Sequence, residues 1–343
     1  MKFFRPLVRL TLYAALLLSA CASAQKQETV STTAPASAQS KPVASLRGET
    51  LLGGGLLLQA RVNDSGPLWF ILDSGGGPGF VVDARRARTY GLELHGRLTS
   101  TGAGENSFTI TFANNTRIAL AGVEFPAQTV RVFSLNSLEP FAGRSLDGLI
   151  GFGLFTRYVV EIDYDSGRIN LYDPRTYRYD GPGTILPLAI EGDHFYLKAK
   201  VQMPGREAVE GKFMIDTGAV MTAIALNRPF VEKNNLLPAG EKILDRGALG
   251  LGGESRHILS RAAMLQLGGM TIKEPTVTLS QDAGGALAST NFDGIIGDEL
   301  LRRFKVIFDA SRRELILEAN EHFREPYEHN MSGLSLRAEG PEF

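Results

Sequence analysis

The sequence predicts an all-β protein of two duplicated lobes, each a small β-barrel with short helices. Three observations carry that expectation. Asp73-Ser74-Gly75 and Asp216-Thr217-Gly218 stand 143 positions apart, each after a short apolar run: Leu68-Trp69-Phe70-Ile71-Leu72 before the first, Phe213-Met214-Ile215 before the second. Each triplet has a later echo, Asp147-Gly148-Leu149-Ile150-Gly151 and Asp293-Gly294-Ile295-Ile296-Gly297. Between them, period-two alternation and frequent turn signals read as short strands rather than long helices.

The N-terminus reads as a targeting segment outside the fold. Lys2, Arg5 and Arg9 precede a mostly apolar stretch from Leu10 to Leu18, too short for a mature membrane span. It ends in Leu18-Ser19-Ala20-Cys21, which resembles a bacterial lipoprotein signal with Cys21 as the lipidated residue. Cys21 is the single cysteine, so it has no internal disulfide partner. With Ala at position 22, the pattern resembles the class sorted to the outer membrane. The expectation is therefore a cell-envelope protein, lipid-anchored on the periplasmic face of the outer membrane. Ordinary secretion with cleavage after Ala22-Ser23-Ala24 is the alternative. Residues 22–45, rich in Ser, Ala, Thr, Gln and Pro, read as a flexible tether.

The first lobe is expected over residues 46–180 and the second over 181–320, with the boundary near Tyr179-Asp180-Gly181-Pro182-Gly183. The repeat extends well past the triplets. Leu56-Leu57-Leu58-Gln59-Ala60-Arg61-Val62 matches Phe195-Tyr196-Leu197-Lys198-Ala199-Lys200-Val201 at an offset of 139. Tyr158-Val159-Val160-Glu161-Ile162-Asp163-Tyr164 matches Phe304-Lys305-Val306-Ile307-Phe308-Asp309-Ala310 at 146. The growth from 139 to 143 places four extra residues in the second hairpin turn. Turns are expected at Asn63-Asp64-Ser65-Gly66, Asn114-Asn115, Ala121-Gly122 and Gly268-Gly269, and short helices at 83–90, 227–235 and 298–303. In the tail, 321–343, Met331–Arg337 resembles the opening strand of a PDZ domain, as at the start of a truncated one.

Composition excludes several classes. Hydrophobic residues make 43% and charged residues 21% of the chain, as in a soluble globular protein. Net charge is −1 with no basic stripe, which argues against nucleic acid. No glycine-rich stretch carries the Lys-[Ser/Thr] of a phosphate loop. The five His residues form no ligand set, so no metal is expected, and solvated or capping roles are expected for them. Asp147 and Asp293 precede Gly in turn-like contexts, and Asp163 and Asp309 sit at strand ends; turn formation is expected of them rather than catalysis.

The doubled elements, an apolar run with Asp-[Ser/Thr]-Gly and a later apolar-apolar-Gly, resemble the retropepsin-like and pepsin-like aspartic proteases, here with both lobes in one chain. The resemblance covers about residues 50 to 320. It implies the bilobal acid-protease fold, with Asp73 and Asp216 as a proton-sharing pair that activates a water against a peptide bond. It implies that Ser74, Gly75, Thr217 and Gly218 support the two loops, and that no cofactor or metal is needed. It also implies flap hairpins over the substrate, for which Gly102 and Gly104 in the first lobe and Gly250, Gly252 and Gly253 in the second are candidates. Ser replaces Thr in the first triplet, Gly76-Gly77-Pro78-Gly79 follows it, and neither flap carries the Tyr of pepsin-like flaps. The expected partner is a polypeptide substrate, and the expected state a monomer, because one chain supplies both half-sites. A peptide-binding protein of the same fold with little turnover, or a processing enzyme acting on one partner, are the alternatives.

Overall fold

The computed structural model describes residues 40–51, 54–237 and 244–329. The signal with Cys21, most of the tether, and the tail segment 331–337 lie outside them. Strand accounts for 48% and helix for 11%, so the class is all-β.

The first half of the sequence builds an eight-stranded sheet and the second a ten-stranded one, and the same pairing scheme recurs in both. Leu68–Leu72, which leads to Asp73, runs parallel to Gly148–Ile150. That short strand is antiparallel to Phe80–Asp83, which is parallel to Val123–Phe133. In the second half Ala208–Ile215, which leads to Asp216, runs parallel to Gly294–Ile296. This strand is antiparallel to Ile224–Leu226, which is parallel to Thr276–Ser280. The apolar-apolar-Gly echo is thus the strand beside each triplet. Its leading glycine is sterically required, since a β-carbon on Gly148 would collide with the Phe70 ring and the Val81 carbonyl.

A third sheet of six strands mixes the halves, in the order Ala44–Arg47, Arg168–Tyr172, Val159–Asp163, Phe304–Asp309, Glu314–Ala319, Thr184–Pro187. The central seam pairs Val160 with Phe308 and Ile162 with Val306, residues that match one another in the repeat. One apolar cluster runs through both halves above this sheet. Phe308 lies with its ring 4.8 Å from Phe155 and 5.5 Å from Phe195, in edge-on and tilted arrangements.

Several local expectations are corrected. The extra four residues of the second hairpin are not in its turn. The ladder from Tyr196↔Met214 to Gln202↔Ala208 replaces a shorter one from Leu57↔Ile71 to Ala60↔Leu68, and the turn itself is tighter. Asn114-Asn115 is not a turn but an irregularity inside the long strand Ser107–Leu120, with Asn115 at φ 52. The helices are shorter than expected: Ala87–Tyr90 is a 3₁₀ turn, and Arg228–Lys233 and Asp298–Leu301 are single short turns of α-helix. Phe152–Arg157 and Glu139–Ala142 add helices that no periodicity announced.

Phe308→Ala removes the ring that both halves share. It is expected to cost about 3–5 kcal/mol, read as a lowered denaturant midpoint in equilibrium unfolding.

Candidate active site

The two triplets meet. Each follows its sheet strand into a tight loop, and the loops grip one another by reciprocal hydrogen bonds. The Ser74 amide donates to Thr217 Oγ1 at 3.0 Å, and the Thr217 amide donates to Ser74 Oγ at 3.0 Å. The Ser74 hydroxyl then donates to the Ile215 carbonyl at 2.8 Å, and the Thr217 hydroxyl to the Leu72 carbonyl at 2.9 Å. Both side chains are buried. Each therefore uses its hydroxyl both as acceptor from the loop of the other half and as donor to the strand before that same loop.

This grip brings Asp73 and Asp216 together. A β-carbon on Gly75 would strike the Asp216 carboxyl, and one on Gly218 would strike that of Asp73, so only glycine fits either position. The Gly75 amide donates to Asp73 Oδ1 at 3.0 Å and the Gly218 amide to Asp216 Oδ1 at 2.8 Å. Both carboxylates lie deep yet keep some accessible surface. Burial raises both above the ordinary range. Asp73 is raised well above it, because the charge and hydrogen bond of Asp216 add to its burial. For Asp216 the hydrogen bond from Asp73 works downward against burial. The two carboxyls thus titrate as a pair that holds a proton above the ordinary aspartate range.

Three nearby residues went unnoticed in the sequence. The charge of His194 reaches Asp216 and lowers it. Asp298 follows the Gly297 of the echo and is fully buried. It accepts from the Gly55 amide at 2.9 Å, and burial pushes it up to about 6. Burial and the nearby charge of Asp298 hold the Tyr164 hydroxyl well above its ordinary value, although that buried hydroxyl makes no hydrogen bond of normal geometry. A signal existed for Asp298: its counterpart after Gly151 is Phe152, so the repeat breaks there from aromatic to carboxylate.

The candidate flap glycines sit at two hairpin tips, and the tips touch. The first joins Leu94–Thr101 to Ser107–Leu120, and the second joins Leu244–Gly250 to Gly253–Arg261. The Gly252 amide donates to Ala103 O at 2.7 Å, and the Asn106 amide to Gly252 O at 2.8 Å. The Glu105 amide reaches Glu254 O at 3.2 Å. Gly102 and Gly104 also pack on the 283–286 loop, whose Ala286 amide donates to Gly102 O at 2.9 Å. Gly250 lies against Ala103, and Gly253 faces the Asn106 side chain.

The other candidates resolve into structure. Asp147 accepts from the Trp69 amide, Arg86 and Tyr90. Asp293 accepts from the Lys212 amide. Asp163 and Asp309 bind amides and hydroxyls of the turns that follow them. His257 departs from the expected solvated role. It is buried, with Nε2 2.8 Å from Ser255 Oγ, and Ser255 also bonds Asp282. Here the serine lies between the acid and the imidazole, whereas a nucleophile relay needs the imidazole in the middle. No group of three His, Cys, Asp or Glu side chains among the described residues is placed to hold a metal.

Two outcomes follow from this geometry. Ser74→Ala and Thr217→Ala each leave a buried amide unpaired, at about 1–3 kcal/mol apiece by chemical denaturation. A raised carboxyl lets the folded state hold a proton that the unfolded chain releases near 3.8. Stability then falls as pH rises from that value through the folded pKa. Asp73→Asn is expected to raise the melting temperature at pH 7 and to leave it little changed at pH 3.

No model of a known protein family matches this chain, and no curated protein matches it.

Proposed function

We propose that the protein is an aspartic endopeptidase with the bilobal acid-protease fold, its two lobes being the two copies of the repeat. The observation that carries this reading is the meeting of Asp73 and Asp216 through the reciprocal Ser74–Thr217 hydrogen bonds. A water between the carboxylates attacks the carbonyl carbon of a peptide bond. Asp216, the ionised member, takes a proton from that water, while protonated Asp73 donates to the carbonyl oxygen. The tetrahedral diol then collapses as a proton passes to the amide nitrogen and the C–N bond breaks. The charge of His194 favours ionised Asp216, and the proton held by the pair completes the division of roles.

One chain supplies both carboxylates, so the working unit is a monomer that acts on polypeptide. Cys21 anchors it by lipid to the periplasmic face of the outer membrane; the tether expected over 22–45 ends before Ala44, because Ala44 and Ser45 already pair with Leu171 and Asn170 in the sheet. A second reading, a peptide-binding protein with little turnover, draws on the hairpin tips: they are hydrogen-bonded to each other and must part before a chain can enter.

Asp73→Asn and Asp216→Asn are each expected to lower peptide turnover by about 10²–10⁴-fold. The double variant should be scarcely worse, since the pair acts as a unit. The rate should follow a bell in pH with limits that belong to the pair. Full activity in folded Asp216→Asn protein would remove the peptidase reading. For the anchor, Cys21→Ser is expected to abolish labelling by a fatty-acid analogue and release the protein from membranes; persistent labelling would contradict it.

A further inference from the structure

The dyad-facing side of each central sheet carries a row of side chains in cross-strand register. In the second half the row runs Tyr196, Met214, Ile295, Ala225, Thr278. In the first half it runs Leu57, Ile71, Leu149, Val81, Arg131. Ile71 and Met214 each stand two residues before the site Asp, so both rows share the face from which Asp73 and Asp216 project. The first four members of each row belong to matching apolar clusters. The fifth differs: a neutral Thr278 in one half, a guanidinium in the other.

Arg131 is a costly residue for such a wall. It is half-buried, and burial lowers its pKa. Among the described residues its guanidinium makes no hydrogen bond or ion pair. The acidic group whose charge bears on it is Asp193, in the turn before His194, which stays beyond ion-pair distance. Its Nη1 lies 2.9 Å from where a β-carbon of Gly77 would stand, in the loop that Asp73 opens. Gly77, at φ +80, leaves that space to the guanidinium. Leu251 of the second hairpin tip packs on the same apolar cluster, so the wall is roofed. The site is thus an apolar surface beside the dyad, ending in one guanidinium that has no ion-pair partner among the described residues. Five donors in a planar fork suit a carboxylate.

We propose that Arg131 anchors a carboxylate of the bound polypeptide, making acidic peptides the preferred ligands of this cleft. The inference rests on the peptide-cleaving or peptide-binding reading of the site and names what that site selects. Two sources share the chemistry, an Asp or Glu side chain and a free C-terminus.

The test is equilibrium binding near pH 7, where a Glu side chain is ionised, to the full chain carrying Asp216→Asn. The probes are acetylated, amidated peptides in which a single Glu, or Gln in its place, is moved along the sequence. A third peptide is neutral with a free C-terminus. One Glu position is expected to bind about ten- to hundredfold more tightly than its Gln counterpart. Arg131→Met should bring that ratio close to one, and Arg131→Lys should keep part of it; thermal melts check that both variants fold. If the free C-terminus shows the preference instead, and Arg131→Met removes it, the anchor holds and the source is the chain end. Equal binding of acidic and neutral peptides, a preference that survives Arg131→Met, or no peptide binding at all overturns the proposal. Failure of the peptidase reading shows separately, as no cleavage of these peptides by the chain with Asp216 intact, because the binding ratios need no turnover.

Discussion

Everything at the site depends on holding two carboxylates against each other in a place that disfavours charge. Burial and mutual repulsion both push against Asp73 and Asp216, and much of the opposing force comes from neutral amides and hydroxyls. Four hydrogen bonds from Ser74 and Thr217 tie each loop to the strand and loop of the other half. Glycines at 75 and 218 leave out β-carbons that would collide with the opposite carboxyl. The sheets behind are arranged to the same end. Each triplet strand lies beside the apolar-apolar-Gly strand of its own half, and the six-stranded sheet zips the halves together through Val160↔Phe308.

The two halves are alike in pairing but unlike in chemistry, and the differences cluster round the dyad. Gly297 is followed by buried Asp298, while Gly151 is followed by Phe152, whose ring packs 4.8 Å from Phe195. The charge of His194 reaches Asp216, while the corresponding stretch before Leu56 in the first half holds Gly54-Gly55. Gly55 in turn gives its amide to Asp298. A two-fold pair of sites would share a proton evenly. Here the surroundings are unequal: the charge of His194 favours ionised Asp216, and that of Asp298 opposes it.

Much of this was legible in the sequence, for physical reasons that also mark the limit. The triplets could be found because glycine and a short hydroxyl are the only residues that fit such a grip, so the constraint is written in adjacent letters. The echo was legible for the same reason: Gly148 has no room for a side chain. The all-β class followed from alternation. What stayed hidden depends on register and on distant loops. His194, Asp298 and Arg131 acquire their neighbours from strand pairing, and nothing adjacent in sequence announces it. Asn114-Asn115 was misread because a left-handed residue within a long strand looks, letter by letter, like a turn. The buried Ser255–His257–Asp282 cluster was missed because its acid lies just past the strand Thr276–Ser280, which meets the strand of the other two only in the sheet.

The most direct measurement of the central claim is a carboxyl titration by NMR of protein labelled at aspartate, with Asp73 and Asp216 assigned by substitution. A coupled pair is expected: one carboxyl holding its proton well above the ordinary aspartate value of 3.8, and each resonance responding to titration of the other. Two independent titrations near that ordinary value would contradict it, for then the carboxylates would not share a proton and the site would have no acid to set beside its base.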